Sequence, residues 1–351
     1  MRSYPTQNPR TILVYVHLGQ IVPIELLHHA NLARTIMPME DIYLITDAEC
    51  DDFPGQVIPC LQVDWDVRFE KYLGKFPEIS ETNNGYWDVT LRRLLALELI
   101  SKIVDSRTRI IHVESDVMVL LPIERISKAL EHIRLPALPR LAENGIASFL
   151  YFPSAAHLAD FCENILRTLD STNVPLTDMK LLGLGLSLGW LQEIPSAPSS
   201  DIRENYQIIF DGAAIGQYLF GINPIHTGGI LESGFQNPYF SVDLSTINWQ
   251  IETDIQSNSP ILVARFEGNS QIIANLHIHS KDLLPLPTRN SNRWIRALNE
   301  ANGGDRQIEV RKIPRVDDSK ISAKGKLRKA RRIGLVAVVR IILGRAISRL
   351  R

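Results

Sequence analysis

Short apolar runs alternate with helical patterns along the first 113 residues, and this order restricts the fold more than any other feature of the sequence. Four runs have the length of buried strands, namely residues 11–16, 41–46, 56–63 and 108–113. Two segments place apolar side chains at helical spacing, namely residues 23–36 and 89–103. This β-α-β-β-α-β order predicts a mostly parallel sheet with helices on both faces. Pro59 indicates that the third strand is an edge strand, because proline donates no ladder hydrogen bond.

The fourth strand ends in an acidic pair. Glu114 and Asp116 follow an apolar run, and side chains two residues apart on an extended backbone point to the same face. Two carboxylates on one face repel each other unless a cation lies between them, and hard divalent cations prefer oxygen ligands. Ligands of parallel sheets bind at the carboxyl ends of the strands. The pair therefore predicts a metal site, although Glu-x-Asp alone is more often structural.

Composition and the lack of other motifs exclude several classes of protein. The chain has 351 residues, of which 45% are hydrophobic and 22% charged, as expected for one large α/β domain or two small ones. No Gly-x-Gly-x-x-Gly or P-loop motif follows the first strand, so a dinucleotide-binding or P-loop domain is disfavoured. The three cysteines form no Cys-x-x-Cys pair, and no signal peptide is visible. The cysteine pattern fits a reducing cytosol.

The middle of the chain continues the α/β pattern with fewer signals. It predicts strands at 146–152 and 272–278 and helices at 155–169 and 213–220. Residues 193–205 are rich in Ser and Pro and indicate a surface loop, or a segment that orders when an acceptor binds. The glycines between 183 and 189 indicate a loop or close packing, because the run is apolar and has no lysine.

Basic, acidic and imidazole side chains occur in three further segments. Arg92 and Arg93 lie at the start of a helix with an aromatic entry, where a guanidinium matches phosphate or carboxylate in a bidentate manner, or simply faces solvent. Asp211 is well placed as an N-cap, and small residues follow it. His277 and His279 alternate on one strand face, so they are either metal ligands or partly buried core residues.

In this order, the segments resemble the GT-A type of nucleotide-sugar glycosyltransferase and are similar to bacterial enzymes of glycosyltransferase family 8. The resemblance covers roughly residues 11–285, and Glu114 stands where the family usually has Asp. It implies a Rossmann-like α/β fold, in which a mixed sheet is flanked by helices. It also implies that Mn(II) or Mg(II) is held on the donor diphosphate by Asp116, Glu114 and a late histidine, His279, with His277 as its alternative. An imidazole ligand suits Mn(II) better than Mg(II).

The resemblance implies further roles. The donor is expected to contact Val16, His17, Arg93, Arg92, Glu114 and Lys281. Asp211 and Asp178 are both candidates for the catalytic carboxylate on the acceptor side, and the sequence does not choose between them. The implied activity is transfer of a sugar from a nucleotide-sugar donor, expected to be UDP-linked, to a glycan or lipid-linked acceptor. Two alternatives stay open. One is a non-catalytic carbohydrate or nucleotide-sugar binding scaffold, and the other is a nucleotidyltransferase, whose Gly-rich loop is missing after the first strand.

The C-terminal part differs from the rest in charge. Residues 320–351 contain eleven Lys and Arg and no acidic residue, which leaves 27 basic against all 39 acidic residues in the first 319. We predict a glycosyltransferase domain over residues 1–304, a linker over 305–319 and a basic amphipathic helix over 320–351. Such a helix binds an anionic membrane surface, here the cytoplasmic face, unless it packs on the domain or a partner. The acidic body and the lack of aromatics in the tail disfavour nucleic acid.

Overall fold

The computed structural model describes residues 9–60, 65–199, 207–220, 236–253 and 260–278. Within them the strands are β1 Thr11–His17, β2 Ile42–Thr46, β3 Gln56–Pro59, β4 Arg109–Val113, β5 Val117–Val119, β6 Ala137–Leu141, β7 Asn144–Gly145, β8 Phe149–Phe152, β9 Gln192–Ile194, β10 Ile208–Phe210, β11 Asn248–Thr253, β12 Pro260–Phe266 and β13 Asn269–His277. The α-helices are α1 Ile24–Ala33, α2 Val67–Lys75, α3 Glu78–Glu81, α4 Tyr86–Ala96, α5 Glu98–Ser101, α6 Ile123–Ala129, α7 Ala155–Ser171, α8 Asp178–Leu188 and α9 Ile215–Phe220.

A mixed sheet in the order β3-β2-β1-β4-β8-β6-β7 forms the centre, with β9 beside β6. Strands β3, β2, β1 and β4 are parallel, whereas β8 runs antiparallel to β4. The predicted parallel arrangement is confirmed for residues 11–113, and β3 lies at the edge, as Pro59 indicates. The predicted α/β fold with a mixed sheet flanked by helices is also confirmed.

Helices cover both faces of this sheet, because side chains alternate along each strand. On one face, Ile12, Val14 and Val16 of β1 pack in a core with α4 and α7. On the other face, Leu13 and Tyr15 pack in a core with α1 and α6. Burial on both faces explains why β1 reads as a continuous apolar run rather than as an alternating pattern.

A smaller sheet in the order β10-β13-β12-β11 lies next to the first one, and β5 pairs with β13. Its core includes Met118, Ile209, Trp249, Leu262 and Leu276. The link Glu114–Asp116 joins β4 of the first sheet directly to β5 of the second. The acidic pair therefore lies where the two sheets meet.

Several element boundaries differ from the predicted ones. The helix predicted over 89–103 begins earlier, at Tyr86, and is interrupted at Leu97 before α5. The strand predicted over 146–152 spans only Phe149–Phe152, and the helix predicted over 213–220 begins at Ile215. The predicted helix at 155–169 is confirmed as α7, with the Ser154 side chain as its N-cap. Among the described residues, no helix combines the length and hydrophobicity needed to cross a bilayer.

Some predictions fall outside the described residues. These are the end of the third strand, most of the loop after 199, His279, Lys281 and the tail 320–351.

The glycine-rich run 183–189 is mostly helical rather than a loop. It forms the second half of α8, and its glycines permit close packing, as the sequence also suggested. A Cβ atom on Gly183 would lie 2.0 Å from the carbonyl oxygen of Glu143, and one on Gly145 would lie 2.6 Å from the Cβ atom of Leu182. Both distances are too short for real contacts, so α8 and β7 approach each other at a spacing that only glycine allows.

We expect Gly183→Ala to lower the free energy of unfolding by about 1–3 kcal/mol, because the new methyl group meets backbone that cannot move freely. Gly74→Ala is the matched control, since a Cβ atom on Gly74 in α2 meets nothing within 4 Å. Alanine is the better helix former, so Gly74→Ala should raise stability by up to about 1 kcal/mol. Urea unfolding of both variants measures the difference. If Gly183→Ala were as stable as the wild type, α8 would be able to move away from β7 at little cost, and the prediction would be wrong.

Candidate active site

The acidic pair is held in place by its neighbours on both sides. The Glu114 N–H donates to the Ser148 carbonyl at 3.3 Å, which extends the pairing of β4 with β8 by one residue. The carbonyl of Ser115, between the two acids, forms a hydrogen bond with Nδ1 of His29 in α1 at 2.9 Å. The side chains of Glu114 and Asp116 are 14% and 17% exposed to solvent, so both are largely buried but still accessible.

His277 reaches the acidic pair through strand pairing. In the antiparallel register of β13 with β5, His277 lies opposite Val117, the residue that follows Asp116. Its Nε2 is 3.4 Å from Asp116 Oδ1 and 3.6 Å from Glu114 Oε2. One ligand atom of each of the three residues lies within 4.8 Å of the other two, which is the size of a metal centre. The sequence favours His279 as the metal ligand, with His277 as its alternative. His277 is the histidine that the described residues bring to the pair, whereas His279 lies outside them.

The orientation of the His277 ring suits a metal ligand. Its Nδ1 forms a hydrogen bond with the Gly212 carbonyl, which only accepts, so Nδ1 carries a proton. This leaves Nε2 facing Asp116 and Glu114. Metal-binding histidines commonly donate their other N–H to a carbonyl in this way. Two carboxylates and one imidazole fit Mn(II) well and Mg(II) less well.

The charges around His277 also favour a cation. Burial lowers its pKa, but Asp116 and Glu114 more than offset this and raise the pKa to about 9. In the metal-free protein the protonated ring therefore offsets one of the two negative charges near pH 7, and Arg93 pairs with Glu114. A divalent cation at the same place would replace that proton.

Arg93 lies on the other side of Glu114. Its Nη2 is 2.8 Å from Glu114 Oε1, and both side chains are largely buried. Burial lowers the pKa of Arg93, but Glu114 and then Asp178 raise it, so that the guanidinium stays charged. A guanidinium has five N–H donors, which is more than one carboxylate uses.

Arg92 is not brought to the cluster. Neighbouring residues on a helix point about 100° apart, and Arg92 pairs with Asp88 at 2.7 Å and with Glu70 at 3.2 Å. Its guanidinium also lies 4.9 Å from the centre of the Trp65 ring. Of the two arginines, Arg93 is the one that the structure brings to the acidic pair.

Asp178 lies at the start of α8, close to Glu114 and Arg93. It is only 5% exposed, and its Oδ1 has no hydrogen-bond partner among the described residues. Burial and the negative charge of Glu114 raise its pKa to about 6, although Arg93 opposes this. A buried carboxyl group that titrates near neutral pH is suited to accept or donate a proton.

Asp211 has a different environment. It is fully buried, and its carboxylate accepts hydrogen bonds from four backbone N–H groups: Ala214 and Ile215 on Oδ1, and Gly216 and His277 on Oδ2, at 2.6–3.1 Å. A carboxylate offers about four lone-pair positions. No position remains for an acceptor hydroxyl, so this geometry supports a structural role for Asp211. It satisfies N–H groups at the start of α9, although the helix begins at Ile215 and Asp211 is not its N-cap residue. Asp178 is therefore the better candidate for the catalytic carboxylate.

Val16 and His17 lie at the carboxyl end of β1, on the same edge of the sheet. Tyr15 pairs with Val113, so the end of β1 is next to the end of β4 and to Glu114. Val16 is buried and His17 is half-buried. Their contact with a donor stays a prediction.

Two residues near the cluster were not among the sequence candidates. Tyr86 opens α4, and although its side chain is 46% exposed, desolvation of its hydroxyl and then the charge of Glu114 raise its pKa to about 12. Tyr86 belongs to the aromatic helix entry that precedes Arg92 and Arg93, so the sequence does contain a signal for it. His29 supports the link between the two acids, but nothing in the local sequence of α1 indicates this contact.

Among known proteins, solved structures of low sequence identity match this chain. No model of a protein family matches the sequence, and no curated protein matches it. Solved structures that match include the glycosyltransferase GlyE of Streptococcus pneumoniae TIGR4, with 13% identity over 53% of this chain and 45% of that chain, at a TM-score of 0.34. The galactosyltransferase LgtC, in complex with donor and acceptor sugar analogues, matches with 10% identity over 52% and 73%, at a TM-score of 0.35.

A Bacillus anthracis protein named as a candidate glucose-1-phosphate thymidylyltransferase also matches, with 12% identity over 53% of this chain and 87% of that chain, at a TM-score of 0.26. The matched part of GlyE is less than half of that protein. At these TM-scores the matches carry no argument about residue roles, donor or acceptor.

Proposed function

We propose that this chain is a metal-dependent glycosyltransferase of the GT-A type that transfers a sugar from a nucleotide-sugar donor, expected to be a UDP-sugar, to a glycan or lipid-linked acceptor. One observation carries the proposal: Glu114, Asp116 and His277 meet at the carboxyl edge of the sheet, with Arg93 and Asp178 beside them. This arrangement supports a cation site at the three residues, with a guanidinium and a carboxyl group whose pKa is raised to about 6 beside it.

The charges of these groups match the needs of sugar transfer. A divalent cation bound there would stabilise negative charge on a leaving nucleoside diphosphate. Arg93 donates one N–H group to Glu114 and has further N–H groups that can donate to a phosphate oxygen. Asp178 is proposed to accept the proton of the acceptor hydroxyl. Val16 and His17 are proposed to border the nucleoside, and Lys281, outside the described residues, stays a predicted contact of the diphosphate.

The experiment that tests this proposal offers the full chain a panel of nucleotide sugars with Mn(II), Mg(II) or a chelator. Mass spectrometry should detect a released nucleoside diphosphate with one group of UDP-sugars, only when metal is present. Binding without any turnover would favour a scaffold. Pyrophosphate release from a nucleoside triphosphate and a sugar phosphate would favour a nucleotidyltransferase. Either result would overturn the proposed activity.

We also propose that residues 320–351 hold the protein at the cytoplasmic face of an anionic membrane. The proposal rests on the sequence alone, because the segment lies outside the described residues. Each Lys or Arg near such a surface contributes about 1 kcal/mol, and the apolar residues between them add hydrophobic contact. The first 319 residues have a net charge of −12 and would be repelled.

We expect the full chain to float with vesicles that contain anionic lipid, and binding to weaken as salt screens the charges. A chain that ends at Asp318 should stay in solution and keep its donor hydrolysis. In a milder variant of the full chain, five residues become Gln, namely Lys326, Arg328, Lys329, Arg331 and Arg332. This variant keeps six basic residues and the apolar face, so it should bind more weakly than the wild type at the same salt concentration. Flotation of the shortened chain would show that the tail is not the membrane contact.

A further inference from the structure

Asp211 contacts three elements at the smaller sheet, namely the strands β10 and β13 and the helix α9. It follows β10, its carboxylate accepts N–H groups from the first turn of α9, and its Oδ2 also accepts the His277 N–H of β13 at 2.8 Å. The helix lies directly on the strand here, since a Cβ atom on Gly216 would be 2.5 Å from the His277 carbonyl oxygen. The carboxylate thus fixes the backbone of His277 against α9.

The next residue fixes the ring of the same histidine. The Gly212 carbonyl accepts the hydrogen bond of His277 Nδ1. Backbone and side chain of His277 are therefore both held by residues 211–212, and Nε2 points toward the acidic pair as a result.

Ser148 joins this arrangement to the acidic pair. Its Oγ donates to the Asp211 carbonyl at 3.1 Å, while its own carbonyl accepts the Glu114 N–H at 3.3 Å. Asn275 also donates to the Asp211 carbonyl, at 3.0 Å. Asp211, Ser148 and Asn275 are all fully buried. One buried hydrogen-bond network therefore spans both halves of the candidate metal centre.

We propose that Asp211 is a positioning residue for the metal centre: it sets the place of His277 before a cation binds, and it does not exchange protons with the acceptor. This inference rests on the proposed function, because it assumes that His277 binds the cation. Loss of a group that orients a metal ligand typically lowers metal affinity by about 10–100-fold. Loss of a general base would instead lower the catalytic rate, by about 100–10,000-fold.

The test replaces Asp211 by Asn in the full chain. The amide has the same shape but turns one acceptor oxygen into an N–H₂ group, which faces backbone donors. We expect Mn(II) affinity, measured by electron paramagnetic resonance, to fall about 10–100-fold. The kcat of the variant should return to near the wild-type value at saturating Mn(II). A kcat that stays low at every Mn(II) concentration would assign Asp211 to catalysis and overturn the inference.

Asp243→Asn is the matched control for stability. Asp243 also accepts N–H and hydroxyl hydrogen bonds at a helix start, from Ser245, but has no contact with His277. Its loss should lower the melting temperature without changing Mn(II) affinity. Unchanged Mn(II) affinity in folded Asp211→Asn would overturn the positioning role. Failure of the wild-type protein to bind Mn(II) would instead overturn the proposed function, so the two failures are distinguishable.

Hydrogen exchange of the wild-type protein decides the matter if Asp211→Asn does not fold. The His277 amide should exchange as slowly as those of the surrounding core, with or without Mn(II), because Asp211 holds it in advance. Rapid exchange that only Mn(II) suppresses would show that the cation itself orders His277, and would refute the inference.

Discussion

Asp116→Asn should abolish Mn(II) binding while the protein stays folded. The substitution keeps the shape of the side chain but removes the charge 3.4 Å from His277 Nε2, and an amide is a weak metal ligand. We expect affinity to fall by more than 100-fold, beyond the 10–100-fold loss that accompanies removal of a group that only orients a ligand. Donor-dependent release of nucleoside diphosphate should disappear with it. Calorimetry of the metal-free protein measures the affinity.

Asp88→Asn is the matched control. Asp88 is exposed to nearly the same extent as Asp116, at 20% against 17%, but it pairs with Arg92 away from the cluster. Its loss should leave Mn(II) affinity unchanged. Folded Asp116→Asn protein with wild-type affinity would remove Asp116 from the metal centre.

The same measurement has an expected pH dependence. Because the pKa of His277 is raised to about 9, a proton competes with the cation below that value. Apparent Mn(II) affinity should rise about tenfold per pH unit between pH 6 and 8, since one proton is released for each ion bound. An unperturbed histidine, with a pKa of 6.5, would give a nearly flat profile over the upper part of this range. A flat profile would exclude His277 as a ligand.

The first half of the fold could be predicted from the sequence because its signals are local. The apolar runs of β1, β2 and β4 are long and buried on both faces, and α7 has a regular apolar stripe with a serine N-cap. The C-terminal half of α8 gave no such signal, because alternating Leu and Gly resemble a loop. Strands β11 and β12 were not predicted at all. Strand β12 does contain an apolar run, residues 261–264, and it pairs with its chain neighbours β11 and β13 as antiparallel hairpins, so this signal is local. A short apolar run by itself does not distinguish a strand from a buried helical segment.

Some residues of the candidate site could also be predicted from local sequence, and others could not. Glu114 and Asp116 could be found because two carboxylates at spacing i and i+2 share a face wherever they lie on a strand. The choice between His277 and His279 could not be made, since it depends on the register of β13 with β5, about 160 residues earlier in the chain. The difference between Asp178 and Asp211 was also hidden. Asp178 begins α8 and Asp211 lies just before α9, but only packing shows that the carboxylate of Asp211 is fully used by backbone N–H groups.

Asp178→Asn should lower kcat by about 100–10,000-fold, the usual contribution of a general acid or base, with little change in Mn(II) affinity. The wild-type rate should increase with pH as Asp178 loses its proton. This increase should lie between the ordinary pKa of an aspartate, about 3.9, and about 6, because a bound cation would cancel part of the charge of Glu114. The variant should lose this limb of the profile. Wild-type kcat in the variant would assign the acceptor side to another residue.

The same substitution should make the protein more stable, which separates a catalytic role from a structural one. The pKa of Asp178 is raised in the folded state, first by burial and then by Glu114. The native protein therefore binds the proton more tightly than the unfolded chain, and its stability rises as pH falls from about 6 to 4. At pH 7–8 a neutral Asn should raise the free energy of unfolding by up to about 2 kcal/mol. Asp66→Asn, at a carboxylate whose pKa is lowered by its hydrogen bond with Arg68, should change stability in the opposite direction. If Asp178→Asn also destabilised the protein, the carboxylate of Asp178 would stabilise the start of α8 beside its N-cap Thr177, and it would not be available to a substrate.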